Sequence, residues 1–329
     1  FQELSNMGPY KEFEMPALNP FIPRSLSIPE RDLKDAVYPQ KIEMGEGVSL
    51  FFGQDHEFLR PKGVISLKIK FPKENMSLRH RVYSKFYSQC VMESLNEISY
   101  PARLAGLNYS INEGYEGIYL NIGGYKESAV RLYEMVLDHM VQFTISNEQF
   151  DAIKDNIIRS YENFSLTDAH RQTRELGPDI MNEVKFTWIQ SLPVAKKISL
   201  DDLEIYAKDL YKKTYLEVMI YGDFEIADSK KVVSLFRDKT NTSPINEEET
   251  FDLRYIKMMK PEVINYIDTI MVNNSCFHRK YEIGFDSPKI RAISMLIEKS
   301  LEQPFFTEMR TNQQLGYIVW SYSRALENV

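Results

Sequence analysis

Histidine, cysteine and acidic side chains are the groups from which a metal centre could be built. The five histidines are widely separated, and no two lie within one helical turn of each other: His56, His80, His139, His170 and His278. Neither H-E-x-x-H nor H-x-x-E-H occurs, the spacings that place two imidazoles and a general base on one helix face. Because a zinc site needs three or four converging ligands, the sequence predicts no metal ligand and no zinc bound by this chain alone.

Nucleophiles and phosphate-binding loops are equally hard to find. The sequence contains no G-x-S-x-G, no G-x-x-x-x-G-K-[ST] and no G-x-G-x-x-G, and Gly123-Gly124 is typical of a turn near a strand end. Glu93 and Glu97 stand one helical turn apart and are expected on a solvated face. The sequence therefore assigns no catalytic residue to this chain. A Ser-His-Asp or Cys-His set assembled only in space stays open as an alternative, since triads need no sequence spacing.

Residues 309–319 (MRTNQQLGYIV) group polar side chains around a glycine. Arg310 and Tyr317 flank Gly316, and a glycine permits close approach of another backbone. The residue types alone favour a helix end that runs into a buried strand.

The elements that must position these side chains follow from hydrophobic periodicity. Residues 48–58 and 63–71 are predicted strands, and apolar and polar residues alternate cleanly in the second. The short Pro-Lys-Gly connection at 61–63 predicts antiparallel pairing between them. We expect one long helix from the N-cap Ser77 to a stop at Gly106.

A hairpin is predicted over residues 107–125, with its turn near Glu113-Gly114. Helical periodicity and one strand pattern follow: helices at 126–143, 147–164, 166–190, 199–213 and 226–238, with a strand at 215–224.

The predicted order of a strand followed by a helix then occurs a second time. A strand-like segment at 275–285 precedes a helix at 288–302, just as residues 63–71 precede the long helix of the first unit. The two strand ends lie 214 residues apart, and Gly106 and Gly316 lie 210 residues apart. Two anchors at nearly the same offset predict a duplicated domain of about 200 residues.

The repeat predicts four regions: a proline-rich connector at 1–42, a complete domain at 43–240, a polar linker at 241–261 and the start of a second domain at 262–329. The second domain stops after about a third of its expected length and could not bury its apolar faces alone. We therefore expect the full-length protein to continue past Val329.

Composition bounds the remaining possibilities. The 329 residues carry a net charge of −7, which argues against a nucleic-acid partner. No apolar run approaches the roughly 18 residues of a membrane span, so no membrane partner is expected. Two distant cysteines, Cys90 and Cys276, predict buried small hydrophobes rather than a disulfide framework. The compartment is unknown, with a soluble cytoplasmic or periplasmic protein as the expectation.

The chain resembles the pitrilysin and insulin-degrading family of zinc metallopeptidases over about residues 18–320. The most specific marker is the segment Arg310–Tyr317, of the form R-T-x-x-Q-L-G-Y, and the second is the pair of segments SLNE at 94–97 and LAGL at 104–107. Supporting matches are FIP at 21–23 after an asparagine, LFF at 50–52 followed by QD, and PK at 61–62.

The resemblance implies a fold and an activity. Family members carry four homologous α/β domains in two halves, each with a mostly antiparallel sheet covered by helices in a two-layer arrangement. The first domain binds zinc, and the halves close around a peptide substrate. By this resemblance the chain holds the end of the second domain, the third domain and the start of the fourth. Its partners would be peptide substrates and the N-terminal catalytic half of the same protein.

The resemblance also implies roles for two residues of this chain. Arg310 would hydrogen-bond a backbone carbonyl of the substrate, and Tyr317 would donate to the scissile carbonyl oxygen as negative charge builds there. Asn312 and Gln313 depart from the charged pair often found in the family, and Trp320-Ser321-Tyr322 departs from its smaller residues. The alternative within the same fold is a catalytically inert binding or assembly subunit.

Overall fold

The computed structural model describes residues 17–28, 38–256 and 263–324. The chain divides into two compact units, one formed by residues 1–162 with 188–252 and the other by residues 163–187 with 253–329. Most of the predicted connector and the last five residues of the predicted linker lie outside the described residues.

The first unit is built on one sheet. Its strands are β1 (Gln40–Ile42), β2 (Val48–Gln54), β3 (Lys62–Lys70), β4 (Asn108–Glu113), β5 (Gly117–Tyr125), β6 (Lys213–Gly222) and β7 (Ser243–Pro244). Their order is β1-β2-β6-β3-β5-β4, with β7 beside β6. The β2–β6 and β6–β7 pairs are parallel and the others antiparallel. The predicted mostly antiparallel α/β architecture is therefore confirmed.

The helices are α1 (Leu78–Ser94), α2 (Asn96–Leu104), α3 (Lys126–Val141), α4 (Asn147–Glu162), α5 (Ala169–Met181), α6 (Trp188–Lys197), α7 (Leu200–Leu210), α8 (Ile226–Thr240) and α9 (Pro288–Phe306). Helices α5 and α9 belong to the second unit. In the first unit, helices cover the apolar face of the sheet, whose strands alternate in polarity. In β3, Ile65, Leu67 and Ile69 are buried in the core, whereas Val64, Ser66 and Lys68 point to the other face.

The predicted N-terminal cap of the first helical region agrees with the structure. The Ser77 hydroxyl accepts a hydrogen bond from the His80 amide at 3.1 Å, at the start of α1. The predicted stop at Gly106 is also confirmed. Gly106 has φ of +76°, and the amide of Leu107 donates to the Ala102 carbonyl at 3.0 Å, which is the Schellman arrangement. Between these two signals the helix breaks at Leu95, whose amide is shared between the carbonyls of Val91 and Met92.

The predicted pairing of the first two strands is wrong. β6 lies between them, parallel to β2 and antiparallel to β3. The connection forms a different turn from a tight hairpin. In it the buried Asp55 carboxylate accepts hydrogen bonds from the amides of Glu57 and Phe58 at 3.1 and 2.9 Å. Leu59 then adopts a φ of +47°. This compact Asx-type turn carries the chain past the position that β6 occupies.

A buried ion network crosses the sheet face opposite the core. The Lys68 Nζ atom lies 2.6 Å from a Glu116 carboxylate oxygen and 3.5 Å from Glu217, and Lys70 lies 3.2 Å from Glu217. Burial alone would lower the pKa of Lys68, but the hydrogen bond and charge of Glu116 outweigh it and raise that pKa. These charges are mutually satisfied and serve the fold.

The second unit differs more from expectation. No strand forms within residues 263–285, so the predicted strand at 275–285 is wrong. A strand needs a neighbour for its backbone groups, and the described residues of this unit contribute no strand to the sheet. The predicted helix is confirmed as α9, which begins at the N-cap Ser287 and carries no buried residue. Its predicted apolar face is exposed, including Leu296 and Leu301.

Candidate functional site

The segment that carries Arg310 and Tyr317 begins where α9 ends. The chain continues into a π-helical turn, Thr307–Asn312, and then reverses direction. Gln314 has a left-handed φ of +52° at the reversal. The amide of Leu315 donates to the Met309 carbonyl at 3.0 Å and closes the turn. Single π-helical turns recur at functional sites.

The reversal brings together the two residues predicted to bind substrate. The guanidinium carbon of Arg310 lies 4.6 Å from the centre of the Tyr317 ring and 5.1 Å from the centre of the Phe306 ring. Both contacts are within the range of a cation–π interaction. The guanidinium of Arg310 thus contacts two aromatic side chains.

This geometry leaves the polar atoms available. Tyr317 is 81% exposed, and in the described part of the chain no side chain accepts a hydrogen bond from its hydroxyl or from the Arg310 guanidinium. A stacked guanidinium still directs its N–H groups outward in its plane. The pair therefore offers two kinds of donor, the cationic fork of the half-buried Arg310 and the phenol of the exposed Tyr317.

The two departures noted in the sequence each have a structural partner. Asn312 Nδ2 and Gln313 Nε2 donate to the two carboxylate oxygens of Glu308 at 2.8 and 2.7 Å. The hydrogen bonds from Gln313 and then Asn312 hold the pKa of Glu308 below its ordinary value. Further on, the Trp320 ring stands edge-on to His170, with ring centres 6.1 Å apart.

The sequence analysis did not predict a role for Phe306 or Glu308. The signal was present, since Phe306 precedes Arg310 by four residues and Glu308 precedes Asn312 by four. Residues at this spacing are neighbours on a helix surface.

Other candidate chemistry was sought in the described ranges. Within residues 17–28, 38–256 and 263–324, no three His, Cys, Asp or Glu side chains cluster as metal ligands. The Ser94 hydroxyl lies 3.1 Å from His139 Nδ1, but it also donates to the Val91 carbonyl at 2.8 Å, at the C-terminal end of α1. Carbonyl groups dominate there, which is the wrong polarity for an oxyanion.

The cysteines differ from each other. Cys90 is buried as predicted, and burial raises the pKa of its thiol to about 12, so it stays protonated. Cys276 is exposed, contrary to prediction, because no strand forms around it. No helix among the described residues is long and apolar enough to cross a membrane.

Comparison with known proteins identifies the family of this chain. The family model for the middle or third domain of peptidase M16 matches residues 1–194, which is more than half of the chain. This chain belongs to the peptidase M16 family. A second M16 model, described as the peptidase M16 inactive domain, matches residues 197–328. The predicted family is confirmed.

Similarity to individual proteins supports the same family. The M16 chain is 25% identical over 323 residues to insulin-degrading enzyme of Bos taurus, covering 97% of the chain and 32% of that relative. It is 24% identical over 314 residues to the A-factor-processing enzyme of Saccharomyces cerevisiae, covering 94% and 31%. The crystal structure of pitrilysin matches with a TM-score of 0.76 at 19% identity, covering 95% of the chain and 33% of pitrilysin. The chain thus spans about a third of these relatives and shares the fold of part of pitrilysin.

Proposed function

We propose that this M16 chain is the non-catalytic part of a zinc metallopeptidase that encloses a peptide substrate. The zinc centre would lie in the N-terminal half of the same protein, outside this chain. The observation that carries the proposal is the pairing of the half-buried Arg310 with the exposed Tyr317, stacked at 4.6 Å, whose donors no described side chain accepts. An inert subunit gains nothing from two aligned donors on one loop.

The two residues would act on different atoms of the substrate. Arg310 would donate to a backbone carbonyl and hold the peptide in register. Tyr317 would donate to the scissile carbonyl oxygen, where negative charge develops as the carbonyl is attacked. Donors that are already oriented stabilise such charge strongly once the halves close and exclude water.

We also propose the domain assignment expected from the sequence. Residues 1–42 would end a preceding homologous domain, residues 43–240 would form the third domain and residues 262–329 would begin the fourth. The exposed apolar face of α9 supports this assignment, since a helix with no buried residue needs further structure to cover it.

The proposal is tested by comparing the 329-residue chain with the full-length protein that contains it. We expect the isolated chain to show no chelator-sensitive hydrolysis of a fluorogenic peptide, because its described residues offer no zinc donor set. The full-length protein should hydrolyse the same peptide. Chelator-sensitive cleavage by the isolated chain would refute this division of labour. A full-length protein that cleaves nothing in a mixed peptide library would favour the inert binding or assembly subunit.

Replacing Arg310 by alanine tests the first donor. In the full-length protein we expect kcat/KM to fall about tenfold to a hundredfold, because a hydrogen bond from a charged group contributes about 1.5–3 kcal/mol. Arg291→Ala is the matched control, since Arg291 lies in the preceding helix α9 and pairs with Asp286. Equal effects of the two substitutions on kcat/KM would argue against a role for Arg310 in substrate binding.

A further inference from the structure

The carboxylate of Glu308 holds the loop between Arg310 and Tyr317 by two side-chain hydrogen bonds. Its Oε2 accepts from Asn312 Nδ2 at 2.8 Å, and its Oε1 accepts from Gln313 Nε2 at 2.7 Å. The backbone carbonyl of Glu308 also accepts the amide of Gln313 at 2.9 Å. One residue therefore makes three of the hydrogen bonds that close this turn.

We propose that Glu308 is a positioning residue that sets the place of Tyr317 relative to Arg310 by clamping Asn312 and Gln313. This inference rests on the proposed function, because it concerns the orientation of the two substrate-binding donors.

Burial of apolar side chains cannot fix the position of Tyr317 relative to Arg310. Neither α9 nor the π-helical turn carries a buried residue, and residues 311–318 are all exposed. Apolar packing is therefore too sparse to fix one loop conformation. The left-handed φ of +52° at Gln314 adds strain that the surrounding contacts must hold. The Arg310–Tyr317 stacking and the backbone hydrogen bond from Leu315 to Met309 remain. The side-chain hydrogen bonds to the charged Glu308 acceptor are the contacts that hold residues 312 and 313.

The side chains at 312 and 313 are chemically matched to Glu308. A carboxylate at either position would stand against that of Glu308 and repel it. Two amides supply N–H donors without a second negative charge. Asn312 and Gln313 thus suit an acidic residue at 308, and the three form one matched set.

An exchange of the partners tests the clamp in the full-length protein. Asn312→Asp is nearly isosteric but removes the donor and sets a carboxylate against Glu308. Glu308→Gln keeps an acceptor and loses the charge. In the double variant E308Q/N312D, the new amide at position 308 can donate to the new carboxylate at position 312 while its oxygen still accepts from Gln313. The contact between positions 308 and 312 therefore returns with donor and acceptor exchanged, and the contact with Gln313 keeps its direction. Glu302→Gln is the control, since Glu302 lies on α9 and pairs with Lys299.

We expect N312D to lower kcat about tenfold with KM within about twofold, because a slightly misplaced donor is felt mainly in the transition state. E308Q should cost about threefold, and the double variant should return to within about twofold of E308Q alone, as coupled neighbours behave in a mutant cycle. E302Q should behave as the unmodified protein. Recovery in the double variant is the result that loss of overall stability would not produce.

Hydrogen exchange supplies a readout independent of turnover. The Leu315 amide, bonded to the Met309 carbonyl, should exchange faster in N312D and recover in the double variant. No change in that exchange rate would overturn the clamp. Faster exchange with unchanged kcat, or no recovery in the double variant, would overturn its positioning role. If Tyr317→Phe leaves kcat unchanged while exchange responds as expected, the proposed function fails and the clamp remains as a purely structural contact.

Discussion

Replacing Tyr317 by phenylalanine in the full-length protein is expected to lower kcat by about 10²–10³ with little change in KM, the usual cost of one oxyanion donor. The reason lies in the timing of the interaction. A phenol that donates to the scissile oxygen gains most when charge has built up there, so its loss affects the transition state more than the bound substrate.

We expect the substitution to leave the fold intact, because the fold does not depend on the hydroxyl. Tyr317 is 81% exposed, and its ring stacks on Arg310 through the aromatic face, which phenylalanine retains. Tyr322→Phe removes a hydroxyl from the same segment and serves as the control. Steady-state hydrolysis of one fluorogenic peptide gives both constants. Equal kcat values for the Tyr317 and Tyr322 variants would remove the proposed role of Tyr317.

The second large effect concerns stability. Replacing Phe21 by alanine is expected to lower the free energy of unfolding by about 3–5 kcal/mol, the usual range for a large aromatic side chain removed from a core. Phe21 is fully buried in the main core although it lies outside the sheet and helices. Asn19 holds it there, because its Oδ1 accepts the Phe21 amide at 2.9 Å and its Nδ2 donates to the Pro101 carbonyl at 2.8 Å.

The neighbouring residue provides the control for this experiment. Ile22 is 61% exposed, so Ile22→Ala should change the free energy of unfolding by about 0.5 kcal/mol or less. Urea denaturation of the two variants, compared at similar m-values, separates the outcomes. Similar losses of stability in both would mean that the segment around Phe21 is not anchored in the core.

Caps and alternation were readable because their causes are local. The N-cap at Ser77 and the left-handed stop at Gly106 depend on residues within one or two turns. The alternation in β3 depends only on which face of a strand meets the core. Such features survive whatever the rest of the chain does.

The failures have non-local causes. β6 begins at Lys213, far along the chain from the two strands that it separates, and a short connection such as 61–63 says nothing about a strand that inserts from elsewhere. The segment at 275–285 carries strand-like residues, yet a strand exists only when a neighbour satisfies its backbone groups. Cys276 became exposed for the same reason.

The amino-acid order by itself determined the family and the α/β class, because these depend on residue identity and short spacing. The substrate-binding roles of Arg310 and Tyr317 stay a prediction from the same sequence. The tertiary structure alone decided that Arg310 contacts both Phe306 and Tyr317, and that Glu308 binds the side-chain amides of Asn312 and Gln313. That outcome depends on a π-helical turn and one left-handed residue, Gln314. Such backbone conformations are intrinsically disfavoured for an L-residue, so many contacts acting together select them.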